Sequence, residues 1–100
     1  MNRIIKFRAY TEISNEVLGM KYDVPHNYND TVMQFTGLLD KNGKEIYEGD
    51  IVRGQHKIIG DWTAKVDFLA TGIWFGGAKF SEVENYEIIG NIYENPELLK

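Results

Sequence analysis

One hundred residues fit a single domain able to bury roughly 60–65% of its unfolded surface, and the absence of cysteine excludes both a disulfide framework and a Cys-ligated zinc site. The net charge of −4 implies long-range repulsion of nucleic-acid phosphates rather than attraction. No apolar run approaches the ~20 residues of a membrane span, and the segment after Met1 is charged at every second or third residue, so a soluble, cytoplasmic protein is expected.

Residues 4–10, IIKFRAY, alternate: Ile5, Phe7 and Ala9 share one side and Ile4, Lys6, Arg8 and Tyr10 the other, which is the period of a half-buried strand. A polar Ser14-Asn15-Glu16 turn separates it from a second strand expected around Val17 to Tyr22. A short helix over 12–19 competes, weakened by Gly19 and by β-branched Ile13 and Val17. Residues 25–30 form a loop rich in turn residues, and Thr31 to Thr36 a further strand with Val32 and Gln34 opposite Met33 and Phe35. Asp40-Lys41-Asn42-Gly43 is the best turn signal in the chain, because Asn-Gly supplies the positive φ angles of a tight hairpin; Glu45 to Tyr47 runs back from it.

Glu48-Gly49-Asp50 makes a second turn and launches Ile51-Val52, after which GQHKIIGD reads as a loop or a short strand end. DWTAKVDF is the clearest amphipathic strand, with Trp62, Ala64, Val66 and Phe68 opposite Asp61, Thr63, Lys65 and Asp67. Gly72 and Gly76-Gly77 bracket a short strand at Ile73, Trp74 and Phe75. Tyr86, Ile88 and Ile92 alternate with Glu87 and Ile89 along a last strand, and Asn95-Pro96-Glu97 opens a helical turn with an N-cap residue, a proline and an acid in that order. The fold class is therefore mainly β: five to seven short strands in a small barrel or sandwich, with an N-terminal hairpin or meander and a short C-terminal helical turn, as one domain over 1–100.

Charge is graded along the chain. Residues 1–10 hold Arg3, Lys6 and Arg8 with no acid, whereas residues 81–100 hold Glu82, Glu84, Glu87, Glu94 and Glu97 against Lys100. Such ends pair within a protomer or between neighbours, or remain solvated faces.

Most site chemistry is excluded by spacing. In a calcium loop counted from Asp40, the fifth, sixth and twelfth positions would be Lys44, Glu45 and Ile51, and Gly43 falls two places early. Asp40 and Asp50 read instead as turn-capping carboxylates. The chain leaves little room for the sugar-sized cleft of a paired-carboxylate glycosidase. His26 and His56 stand thirty residues apart in predicted loops, without the spacing of a helical metal pair. Neither Ser14 nor Ser81 lies in a G-x-S-x-G turn, and no phosphate-binding loop or dinucleotide fingerprint occurs. No catalytic, cofactor-binding or metal-ligating residue is expected, and the chain reads as non-enzymatic. The alternative is a nucleic-acid-binding β-barrel module, with Lys6, Arg8 and Tyr10 beside Trp62, Trp74 and Phe75 as stacking platforms. The acidic pI of about 5.1 opposes it, and Trp62 falls in register with Val66 and Phe68 as a core residue would.

The block MQFTGLLDKNGKEIYEGDIVR, with YEIIGNIYENPELL after it and IIKFRAY before it, resembles the YopX protein family of phages and prophages of Gram-positive bacteria. The resemblance implies a β-rich chain containing an SH3-like barrel and a large homo-oligomeric, ring-like assembly. Its implied setting is the cytoplasm of a phage-infected or lysogenic host, with an unidentified phage or host protein as a further partner. It carries no catalytic residue onto this chain. Segments 11–30 and 54–82 match no part of the pattern.

Overall fold

A computed structural model describes residues 6–11, 16–20 and 31–99. Arg3, the strand start at Ile4 and Ile5, the turn at Ser14 and Asn15, Tyr22, and the 25–30 loop with His26 lie outside the described residues.

Nine strands occur among the described residues, rather than five to seven, in two antiparallel sheets. In the first, β1 (Phe7–Thr11) pairs with β2 (Glu16–Met20) on one side and β3 (Thr31–Leu39) on the other, and β3 pairs with β4 (Glu45–Tyr47), giving the order β2-β1-β3-β4. The strand reading of 17–20 therefore prevails over the competing helix. The second sheet contains β5 (Asp50–His56), β6 (Gly60–Leu69), β7 (Gly72–Phe75), β8 (Ala78–Lys79) and β9 (Val83–Asn91) in the order β8-β7-β6-β5-β9. Single 3-10 turns at Phe80–Glu82 and Pro96–Leu99 are the helical elements among the described residues, the second where a C-terminal helical turn is expected.

Two boundaries differ from the sequence reading for identifiable reasons. GQHKIIGD is mostly strand, because β5 is central and ladders on both sides carry it to His56, opposite Gly60 in β6 and Val83 in β9. In β9 the register shifts twice against β5, and Asn85 takes φ 53° between Val83 and Tyr86. An extra residue changes the parity of a strand, so Val83, Tyr86 and Ile88 all reach the same core despite their uneven spacing. The Asp40–Gly43 hairpin forms, with Gly43 at φ 82°, but Asn42 does not take positive φ, so the turn has one left-handed position and not the Asn-Gly pair expected.

The main core joins Ile46 of β4 to Val52, Ala64, Val66, Phe75, Ala78 and Val83 of the second sheet. Trp62 packs against it with its indole N–H donating to the Phe75 carbonyl at 2.8 Å, and Phe75 meets Tyr86 edge to face with centroids 4.9 Å apart. Met33 and Phe35, which share one side of β3 as the alternation predicts, are also buried. The first sheet thus fastens onto the second near the turn between β4 and β5.

Candidate functional site

The polar groups converge at that junction. Arg8 projects from β1, and its Nη2 donates to Asp50 Oδ1 at the start of β5. The backbone N–H of Tyr47 donates to the other oxygen, Oδ2, at 2.8 Å, which is the turn-capping role expected of Asp50. The guanidinium lies over the Tyr47 ring, 4.7 Å from its centroid, and Nη2 also approaches Met33 Sδ at 3.6 Å. The side chain of Asp50 is 1% exposed and that of Arg8 14%. Burial pushes the Asp50 carboxyl above the usual carboxylate range, opposed by the Arg8 charge and the Tyr47 N–H. Burial also raises the Tyr47 phenol.

Asp40 forms a second anchor. Its Oδ1 accepts the N–H groups of Asn42 and Lys44, both at 2.9 Å, so it caps its turn as the sequence suggests. Its Oδ2 accepts the N–H of Ile88, 48 residues away in β9, at 3.0 Å. Burial alone would raise this carboxyl, but the three N–H donors and the Lys44 charge hold it below its usual range. The same hairpin sends the Lys41 N–H to the Tyr86 carbonyl at 2.9 Å, fixing it along the outer edge of β9.

Between these anchors lies Gly49. It takes φ 87°, a region that favours glycine, and an added Cβ would stand 3.0 Å from Met33 Sδ. Its N–H donates to the Val66 carbonyl and its own carbonyl accepts from the Ile92 N–H, each at 2.9 Å. Beside it opens a cleft of about 240 Å³ between the sheets, with Glu48, Lys65, Asp67 and Tyr93 at its walls and Met33 below. Those walls are engaged among themselves and with the backbone. Lys65 Nζ lies 3.3 Å from Asp67 Oδ1, and Glu48 Oε1 accepts the Gln34 N–H at 2.9 Å. Tyr93 stacks on Tyr10 with centroids 5.1 Å apart. The arrangement can hold two sheets in register; its acids are committed to backbone N–H groups and to cations.

Residues considered for other chemistry are dispersed. Lys6 donates to Glu45 at 2.6 Å, an interaction that raises its ammonium above the usual lysine value. Lys6 and Arg8 thus pair with central acids and not with the C-terminal ones. Phe75 is fully buried and Trp62 is held in the core, so neither is presented as a base-stacking platform. Trp74, with Lys79 Nζ 5.6 Å from its ring centroid, keeps a partly exposed face. Among the described residues, no three His, Cys, Asp or Glu side chains are grouped to hold a metal ion, and no helix is long and apolar enough to cross a membrane.

The junction also explains which parts of the sequence look familiar. A family model described as YopX protein matches residues 4–100. The chain belongs to the YopX protein family. Among solved structures it is similar to the crystal structure of protein EF1440 from Enterococcus faecalis, with a TM-score of 0.68 and 26% identity over 99% of this chain and 100% of that one. No curated protein matches it. The three blocks that carry the YopX resemblance meet at the junction: Arg8 of the first binds Asp50 of the second, Asp40 of the second binds Ile88 of the third, and Tyr10 of the first stacks on Tyr93 of the third. Only the Asp-capped turns were readable locally; the long-range partners had no sequence signal.

Proposed function

We propose that this YopX protein acts without catalysis, through homo-oligomeric, ring-like assembly in the cytoplasm of a phage-infected or lysogenic host, and that its second sheet is an SH3-like barrel left open on one side. The barrel reading is supported by five antiparallel strands in which β5 ladders with both β6 and β9 and a 3-10 turn leads from β8 into β9. Strands β8 and β9 remain the two edges of the sheet.

The assembly reading rests on the edge of β2. Among the described residues, β2 pairs with β1 alone along five residues. The other edges are short or covered: β8 has two residues, β4 has three, and the outer edge of β9 receives the Asp40–Lys44 hairpin. A longer edge that stays unpaired among the described residues is a template for a strand from a second copy. If the contact is heterologous, repeating it closes a ring when the rotation permits.

Light scattering at low salt and at roughly 0.5 M, where exposed charge pairs are screened, tests this directly. The expected result is a discrete assembly that survives salt, since main-chain pairing rather than Lys6 or Arg8 would hold it. Val17→Pro and Leu18→Pro complete the test, because alternate edge residues turn their N–H outward and only one of the two should break assembly while leaving the protomer folded. A monomer under both conditions overturns the proposal. Quenching of Trp74 by single-stranded DNA in that monomer would favour the nucleic-acid-binding reading, for which the Lys79–Trp74 contact is the remaining support.

A further inference from the structure

The tip of the β5–β6 hairpin is held by an imidazole. The side chain of His56, the last residue of β5, is 8% exposed although it adjoins a solvent-facing turn. Its Nδ1 accepts two backbone N–H groups, from Ile58 at 3.1 Å and from Ile59 at 3.2 Å. The ring lies against Trp62 with centroids 5.2 Å apart, and Nε2 faces Glu82 Oε2 at 3.6 Å. The two residues whose amides it holds carry the most exposed large apolar side chains described, Ile58 at 90% and Ile59 at 66%.

We propose that His56 is a proton-operated latch on this hairpin: the neutral ring holds the 57–59 turn and its paired isoleucines in one presentation, and protonation releases them. A neutral imidazole has one acceptor nitrogen, whereas the protonated ring is a donor at both. A proton on Nδ1 would point at two N–H groups that have no alternative acceptor on the ring. Of the elements packed around it, β6 presents Trp62, β9 places Val83 opposite it in the ladder, and the 3-10 turn brings the carboxylate of Glu82. The turn itself carries Lys57, whose N–H donates to the Glu82 carbonyl at 3.1 Å whatever the state of the ring. The Glu82 carboxylate attracts an imidazolium, but its side chain is 49% exposed and solvent screens the pair. It also cannot replace the acceptor that Ile58 and Ile59 lose.

Imidazole is the side chain whose charge ordinarily changes between about pH 5 and 8, so the experiment is a proton–nitrogen NMR titration of the full chain across that interval. It follows the His56 ring together with the Ile58 and Ile59 amides, with exchange rates corrected for their intrinsic pH dependence. Protection of the two amides is expected to fall about fivefold, the equivalent of one ordinary hydrogen bond shared between them, with the same midpoint as the ring. The core amide of Val52 should not change. His56→Asn supplies a side-chain oxygen that can accept the same N–H groups without titrating, and it should keep protection at both pH extremes. Glu82→Gln should leave the transition in place. Amides that stay protected while the wild-type ring titrates overturn the latch, and so does a transition that persists in His56→Asn.

Discussion

Replacing Asp40 by asparagine tests whether one carboxylate joins the β3–β4 turn to β9. The amide retains a single carbonyl oxygen, which can serve Asn42 and Lys44 or Ile88 but not both sets. In the better arrangement the turn keeps its acceptor, and the side-chain NH2 is left facing the Ile88 N–H. A hydrogen bond to a charged group contributes about 1.5–3 kcal/mol, and an unsatisfied buried donor costs about 1–3 kcal/mol. Asn42 and Lys44 lie on an exposed turn where water can substitute, so most of the loss falls on Ile88. The expected cost is about 2–3 kcal/mol for Asp40→Asn and about 3–4 kcal/mol for Asp40→Ala. For a chain of this length that corresponds to a Tm lowered by roughly 10–20 °C in the asparagine variant. Urea unfolding with linear extrapolation measures the free energy, and amide exchange at Ile88 locates it. Losses below about 0.5 kcal/mol in both variants would refute the bridge, because nothing but an exposed turn would then have been perturbed.

The same carboxylate gives a pH dependence whose sign follows from its lowered native value. Its contribution is complete above the unfolded carboxylate value of about 3.9 and is lost as pH falls through the lower native one; acid unfolding of Asp40→Asn should lack that component. Arg8→Met leaves Asp50 buried without its cation and should cost about 3–5 kcal/mol, while the double change with Asp50→Asn should recover at least ~1 kcal/mol in a double-mutant cycle. Gly54→Ala places a Cβ 2.7 Å from the Glu84 carbonyl oxygen and 2.8 Å from Val83 Cγ1, where β9 bulges against β5. Its cost by thermal unfolding should be about 2–3 kcal/mol, against less than ~0.5 kcal/mol for Gly77→Ala, whose Cβ meets nothing within 4 Å.

What the sequence disclosed and what it withheld divide along the range of the interaction. Period-two alternation separated the two faces of β3 and of β6, and one face of each carries the buried Met33 and Phe35 or Ala64 and Val66, because each strand's pattern is a property of its own few residues. Asn42-Gly43 located a hairpin for the same reason. The length of β5 was hidden, since Gly54, Gln55 and His56 have no strand signature and are extended by two neighbours that pair with them from distant parts of the chain. The inward set of β9 was also hidden, because bulges break the parity that makes a strand readable. Asp40 and Asp50 show both halves at once. Their local capping bonds were legible as turn chemistry, whereas Ile88 and Arg8, lying 48 and 42 residues away, were not. The block from Met33 to Arg53, dense in glycine and carboxylate, therefore looks like a site by composition and works as a clasp by geometry. Asp40 and Asp50 each satisfy a local turn with one oxygen and reach a distant strand with the other, so the block that looks most like chemistry is the one on which the two sheets depend for their register.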